Sequence, residues 1–171
     1  MVNPFKKPRP LLAILLSTLL LSGCGFKLRG THDLPEQLKT MHLYSLDRYS
    51  ELARVLKSYF AVNGITLVQE NSDKSVTEFI LYKDKLDRRT LSLFPNGQVA
   101  EYGLIYSVKY AIAVKGQVAQ PFEFEIYRDY QDDPQSALAK SKELKLILKE
   151  MRQQAADKII RQMASFKANN R

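Results

Sequence analysis

From Tyr102 to Val114 the chain is apolar at every second position: Tyr102, Leu104, Tyr106, Val108, Tyr110, Ile112 and Val114. Gly103, Ser107, Lys109 and Ala113 lie between them, and Ile105 is the one large exception. A period of two cannot line one side of a helix, so this segment is a strand with one buried face. Turn signals bracket it, Pro95-Asn96-Gly97 before and Lys115-Gly116 after, and Asn-Gly suits a hairpin because both residues tolerate φ > 0. Phe79 to Phe94 pairs in front. Gln117 to Tyr130 pairs behind, where Phe122, Phe124 and Ile126 alternate with Glu123 and Glu125. The three strands form an antiparallel meander. The alternation in the first breaks near Asp84 to Arg88, which predicts a bulge or bend there.

A sheet with one apolar face needs a cover, and two segments supply it. Ser50 is a good N-cap, Glu51 suits a first turn, and Gly64 stands where a helix commonly ends. Between them Leu52, Val55, Leu56 and Tyr59 fall on one helical face. At the far end Asp133 is a second N-cap with Pro134 at the first helical position. Leu144, Ile147, Leu148, Met151, Ala155, Ile159 and Met163 follow at helical spacing. Unbroken from Pro134 to Phe166, that helix would be roughly 50 Å long, more than the sheet needs, so its end is expected to fray or kink. Residues 38–46, with Met41 and Leu43 on one side, and Ile65 to Val68 complete the strands, and residues 70–76 read as a polar loop. The order β-α-β-β-β-α predicts an α+β fold. Two helices pack on one face of a mixed, mainly antiparallel four- to five-stranded sheet.

The N-terminus reads as a targeting segment. Lys6, Lys7 and Arg9 precede an apolar run from Leu11 to Leu21. As a helix that run reaches about 16 Å, short of a bilayer core of roughly 30 Å, so it is a signal-peptide core rather than a span. Leu21-Ser22-Gly23-Cys24 then resembles a lipobox, in which small residues admit a peptidase and the cysteine thiol carries diacylglycerol. The alternative is an ordinary signal peptide with a chance cysteine. Gly25 rather than Asp follows the cysteine, which points to the outer membrane. The domain reading is therefore 1–23 signal peptide, 24–37 lipidated tether, and 38–171 a single α+β domain facing the periplasm. Removing a segment with three positive charges leaves a formal +5 from the +8 of the whole chain. Such a charge suits anionic headgroups, phosphorylated glycolipids or acidic protein surfaces; a solvated, lysine-rich surface would carry it as well.

Signatures of catalysis are missing from the sequence. It has two histidines, His32 and His42, and one cysteine. It lacks a His-Glu-x-x-His pattern, a phosphate-cradling glycine loop and a nucleophile elbow. Asp129, Asp132 and Asp133 cluster before the last helix as either metal ligands or cap and turn residues, and the Asp133-Pro134 pair already explains one as a cap. The expectation is a non-enzyme with no metal, no cofactor and no nucleic-acid partner.

Several segments together resemble the LptE family of lipopolysaccharide-assembly lipoproteins. They are Cys24-Gly25-Phe26-Lys27-Leu28-Arg29, Phe94-Pro95-Asn96-Gly97-Gln98-Val99-Ala100-Glu101-Tyr102, Asp133-Pro134-Gln135-Ser136-Ala137-Leu138-Ala139-Lys140 and Lys149-Glu150-Met151. The resemblance implies two helices on a four-stranded sheet. It also implies a plug subunit of the outer-membrane lipopolysaccharide translocon, which sits in the β-barrel of LptD, assists its assembly and binds lipopolysaccharide for delivery to the cell surface. Lys140 matches a basic family position used for lipopolysaccharide; a solvated lysine beside Lys142 and Lys145 is the alternative. The family's other basic position falls on Pro95, which carries no charge, so Arg88, Arg89 and Lys83 on the preceding strand are the compensating candidates. Asn96, Lys109, Arg128 and Tyr130 are the expected partner contacts, with the large amphipathic side chains Tyr127 and Tyr130 near Arg128 suited to an interface. A freestanding periplasmic lipoprotein, a hydrolase or an envelope-stress module, is the competing reading.

Overall fold

The computed structural model describes residues 33–69 and 76–167. Six strands form one sheet: β1 (Thr40–Ser45), β2 (Thr66–Val68), β3 (Thr77–Leu81), β4 (Lys85–Leu93), β5 (Val99–Ala113) and β6 (Gln120–Gln131). Two α-helices, α1 (Glu51–Val62) and α2 (Ala137–Ala164), accompany them. β1 is parallel to β2 and β3, and every other pairing is antiparallel. The α+β class and mixed sheet match expectation, and the strand count exceeds it.

The extra strand has a specific origin. β6 runs along one edge of β5 from Glu101 to Ile112, so β3 and β4 share the other edge, end to end. They are one strand interrupted. Leu81 faces Tyr110 and Lys85 faces Ser107, four steps on one side against three on the other. The extra residue is a β-bulge within residues 82–84, next to the break visible in the sequence. Directly opposed residues share a face of a sheet, so the bulge changes which residues point inward. Thr77, Phe79 and Leu81, the odd-numbered set, are buried below it. Above it the even-numbered Leu86, Arg88 and Thr90 share the face of the buried Tyr106 and Leu104 and the half-buried Tyr102.

The helices cover that inward face. α1 begins at Ser50, whose hydroxyl accepts from the Ala53 N–H at 3.1 Å. It ends in a Schellman motif: Ile65 N–H donates to Phe60 O, Gly64 N–H to Ala61 O, and Gly64 takes φ +74°. Its buried stripe is Leu52, Ala53, Leu56 and Phe60, with the expected Val55 and Tyr59 at the margins. The stripe turns toward Phe60 because Phe79 meets it edge-on at 5.3 Å, and the stack continues through Tyr110 at 5.0 Å and Phe122 at 4.9 Å. α2 is continuous, and its fully buried side chains begin only at Met151. The surplus length expected at its end therefore lies in its first half. Before β1, Leu34 and Leu38 are buried and a 3-10 turn spans Glu36–Leu38, so Leu34, within the expected tether, contributes to the core.

Candidate functional site

The bulge decides what stands at the far end of the sheet. On the inward face Arg88 opposes Leu104, which opposes Arg128, while Tyr102 opposes Tyr130. The Arg88 guanidinium lies 6.0 Å from the centre of the Tyr102 ring. The first turns of α2 cross the same end. Asp133 caps the short turn Pro134–Ser136 by accepting from Gln135 N–H at 3.0 Å. A hydrogen bond from Ser136, then that backbone bond, hold its carboxyl below the usual range. Asp133 is thus a cap, as one sequence reading had it.

The Tyr130 hydroxyl donates to the Lys140 carbonyl at 3.0 Å, which pins this part of α2 to the sheet. The Lys140 ammonium lies 5.6 Å from the Tyr130 ring centre and 2.9 Å from a Glu143 carboxylate oxygen. Its side chain is only 20% exposed, so Lys140 is held rather than freely solvated. The Glu143 bond raises its pKa. Burial raises the Tyr130 phenol, Asp132 adds to this, and Lys140 and Arg88 both oppose it. Two cations from different elements therefore act on one aromatic pair, an arrangement that suits phosphate oxygens beside an apolar surface.

The structure separates the other basic candidates. Arg89 opposes Gly103 on the uncovered face, where its charge acts on the Tyr127 phenol. Lys83 is exposed within the bulge, five residues from Arg88, roughly 16 Å of strand. Arg128 reaches α2, donating to Gln154 Oε1 at 2.8 Å, and remains exposed.

The partner-contact expectations also divide. Tyr130 is 4% exposed and does not offer the exposed contact expected of it; its ring lies under α2. Lys109 is exposed on the uncovered face and pairs with Glu123 at 2.8 Å. Ser107 donates to Glu125 at 3.1 Å, and Tyr127 also donates to Glu125. Asn96 is at the exposed hairpin tip, where its side chain binds Gln98. Only Gly97 of that turn takes positive φ, +83°, so the hairpin is a three-residue turn rather than the two-residue Asn-Gly form. Cys24 and His32 lie outside the described residues.

Sequence reasoning missed one polar cluster. The Tyr106 hydroxyl donates to Asp84 Oδ2 at 2.5 Å. Burial first, then that bond, push its phenol far above its ordinary range, while the Arg152 charge opposes them. The cluster ties the bulge to α2. Its sequence trace is Asp84 at the point where the alternation breaks.

The family model described as lipopolysaccharide-assembly, LptE, matches residues 38–163. A lipopolysaccharide-assembly lipoprotein LptE of Yersinia pestis is 33% identical over 153 residues, covering 90% of this chain and 74% of its own length. The crystal structure of rare lipoprotein B from Shewanella oneidensis shares 49% identity, with a TM-score of 0.67, and the match covers 74% of this chain and 94% of that one. The solution structure of lipoprotein B from Nitrosomonas europaea shares 25% identity with a TM-score of 0.66, over 83% and 92% of the two chains.

Proposed function

Since the chain belongs to the LptE family of lipopolysaccharide-assembly lipoproteins, we propose that it is a non-catalytic subunit of the outer-membrane lipopolysaccharide translocon. In this reading Cys24 carries the lipid anchor. The domain plugs the lumen of an LptD-like β-barrel and assists its assembly, and it binds lipopolysaccharide during delivery to the cell surface. The observation that carries the reading is the pair of cations, Arg88 from β4 and Lys140 from α2, beside the directly opposed strand positions of Tyr102 and Tyr130. Guanidinium and ammonium groups bind phosphate through charge-assisted hydrogen bonds. Arg88 supplies the charge that Pro95 cannot. The uncovered sheet face, with Lys109, Glu123, Glu125, Ser107 and Tyr127, is polar enough to sit against a hydrophilic barrel interior.

The test uses the full-length lipoprotein extracted in detergent. It should copurify with one large β-barrel protein and bind purified lipopolysaccharide in a salt-dependent way. The Arg88→Asp, Lys140→Asp double variant should keep the barrel and lose lipopolysaccharide binding by at least tenfold. Recovery of the lipoprotein alone would instead favour a freestanding envelope protein. Unchanged binding by the double variant would remove the cation pair from the site.

A further inference from the structure

The first half of α2 is exposed on its outer side in an unusual way. Leu138, Lys142, Lys145, Leu146 and Lys149 recur at three- and four-residue spacing, so they form one stripe, opposite the face that carries Lys140, Leu144 and Leu148. Leu138 is 73% exposed and Leu146 55%. The three lysines are exposed, and among the described residues none of them has an ion pair. Some lysines elsewhere have a carboxylate partner, Lys39 with Glu36, Lys85 with Asp87, Lys109 with Glu123 and Lys140 with Glu143, and others, such as Lys57 and Lys83, stand singly among the described residues; the stripe differs in repeating its lysines along one helix face. Along the stripe, like charges stand at i,i+3 and i,i+4, where they repel one another and weaken the helix that carries them. A stripe of this kind is stabilised by carboxylates supplied from outside.

We propose that the outer face of α2 over residues 138–149 is a docking surface for an acidic protein wall, the interior of the partner barrel; this rests on the plug reading above. The two leucines stand eight residues apart, about 12 Å along the helix, with lysines between them. Hydrocarbon favours a continuous apolar face, whereas a protein wall offers separate pockets for separate side chains. The lysines set the charge of the partner and the leucines its two apolar recesses.

Photo-crosslinking side chains at Leu146 and, as reference, at Tyr127 on the uncovered sheet face are placed in the full lipoprotein in cells. The expected result is a barrel adduct from Leu146. In parallel, the Lys142→Glu, Lys145→Glu, Lys149→Glu variant should lower barrel recovery at least fivefold, with lipopolysaccharide binding within twofold of wild type. If that variant fails to accumulate, the corresponding triple glutamine variant serves, with an expected loss of at least threefold. A barrel adduct at Tyr127 with none at Leu146, or undiminished barrel recovery by the charge variants, overturns the surface while leaving the plug reading intact. Adducts from Leu146 to lipopolysaccharide alone overturn it in favour of a ligand surface. Failure of barrel adducts at both positions removes the plug reading and this surface with it.

Discussion

Arg88 and Arg89 are adjacent, equally charged and both exposed, yet as neighbours in a strand they take opposite faces of the sheet, and the bulge gives Arg88 the inward one. That contrast gives a sharp test. Arg88→Ala removes a guanidinium that stands 6.0 Å from the Tyr102 ring centre and acts electrostatically on Tyr130. A hydrogen bond to a charged group contributes about 1.5–3 kcal/mol. Solvent screening at an exposed position reduces this to about 1–2 kcal/mol, a loss of roughly five- to thirtyfold in affinity. Arg89→Ala should change affinity less than twofold, because its side chain leaves the opposite face. The assay is equilibrium binding of labelled lipopolysaccharide to the detergent-solubilised lipoprotein, at one fixed ionic strength. Lys140→Ala should not add independently to Arg88→Ala, since both cations address the same ligand groups. Equal losses from Arg88→Ala and Arg89→Ala, or strict additivity with Lys140→Ala, would refute the face assignment as the basis of binding.

Burial holds the Tyr106 and Tyr110 phenols above their ordinary value of 10.0. A raised folded pKa means that this stability is complete below about pH 10 and is lost as pH rises further, with a slope approaching about 1.4 kcal/mol per pH unit for each phenol. Tyr106→Phe should therefore make alkaline unfolding visibly less steep, and chemical denaturation at about pH 7 should show a loss of about 1–2 kcal/mol from the missing bond to Asp84; an unchanged alkaline slope would count against burial of this phenol. Phe79→Ala should cost about 3–5 kcal/mol, because Phe79 is fully buried between Phe60 and Tyr110, and the denaturation midpoint reads it directly. Cys24→Ala should abolish metabolic labelling by fatty acid and leave an unprocessed precursor; label retained on the variant would exclude this cysteine as the attachment point.

Local rules made part of this fold legible. The alternation in β5 reports its own buried face, and Ser50 and Gly64 mark α1 through backbone hydrogen bonds made within a few residues. The inversion at the bulge was not legible. A break at Asp84 shows that the pleat changes, whereas the direction of Arg88 depends on its register against Leu104, a partner distant in sequence. Tyr130 misled for a related reason. Beside Arg128 and Asp129 it resembles a surface residue, and only the return of α2 covers it. The apolar spacing of α2 also looks uniform from Leu144 to Met163, yet its burial is not, because the sheet and α1 bury only its second half fully.

The bulge gives the hairpin a reading frame. Residues before it present odd-numbered side chains to the core, and residues after it present even-numbered ones. Deleting one residue from 82–84 would merge the two frames: three steps would then oppose three, and Leu86 and Arg88 would keep the inward face in one regular strand. The connection is therefore one step longer than the pleat requires, and its length can shrink by one residue without changing any face beyond it.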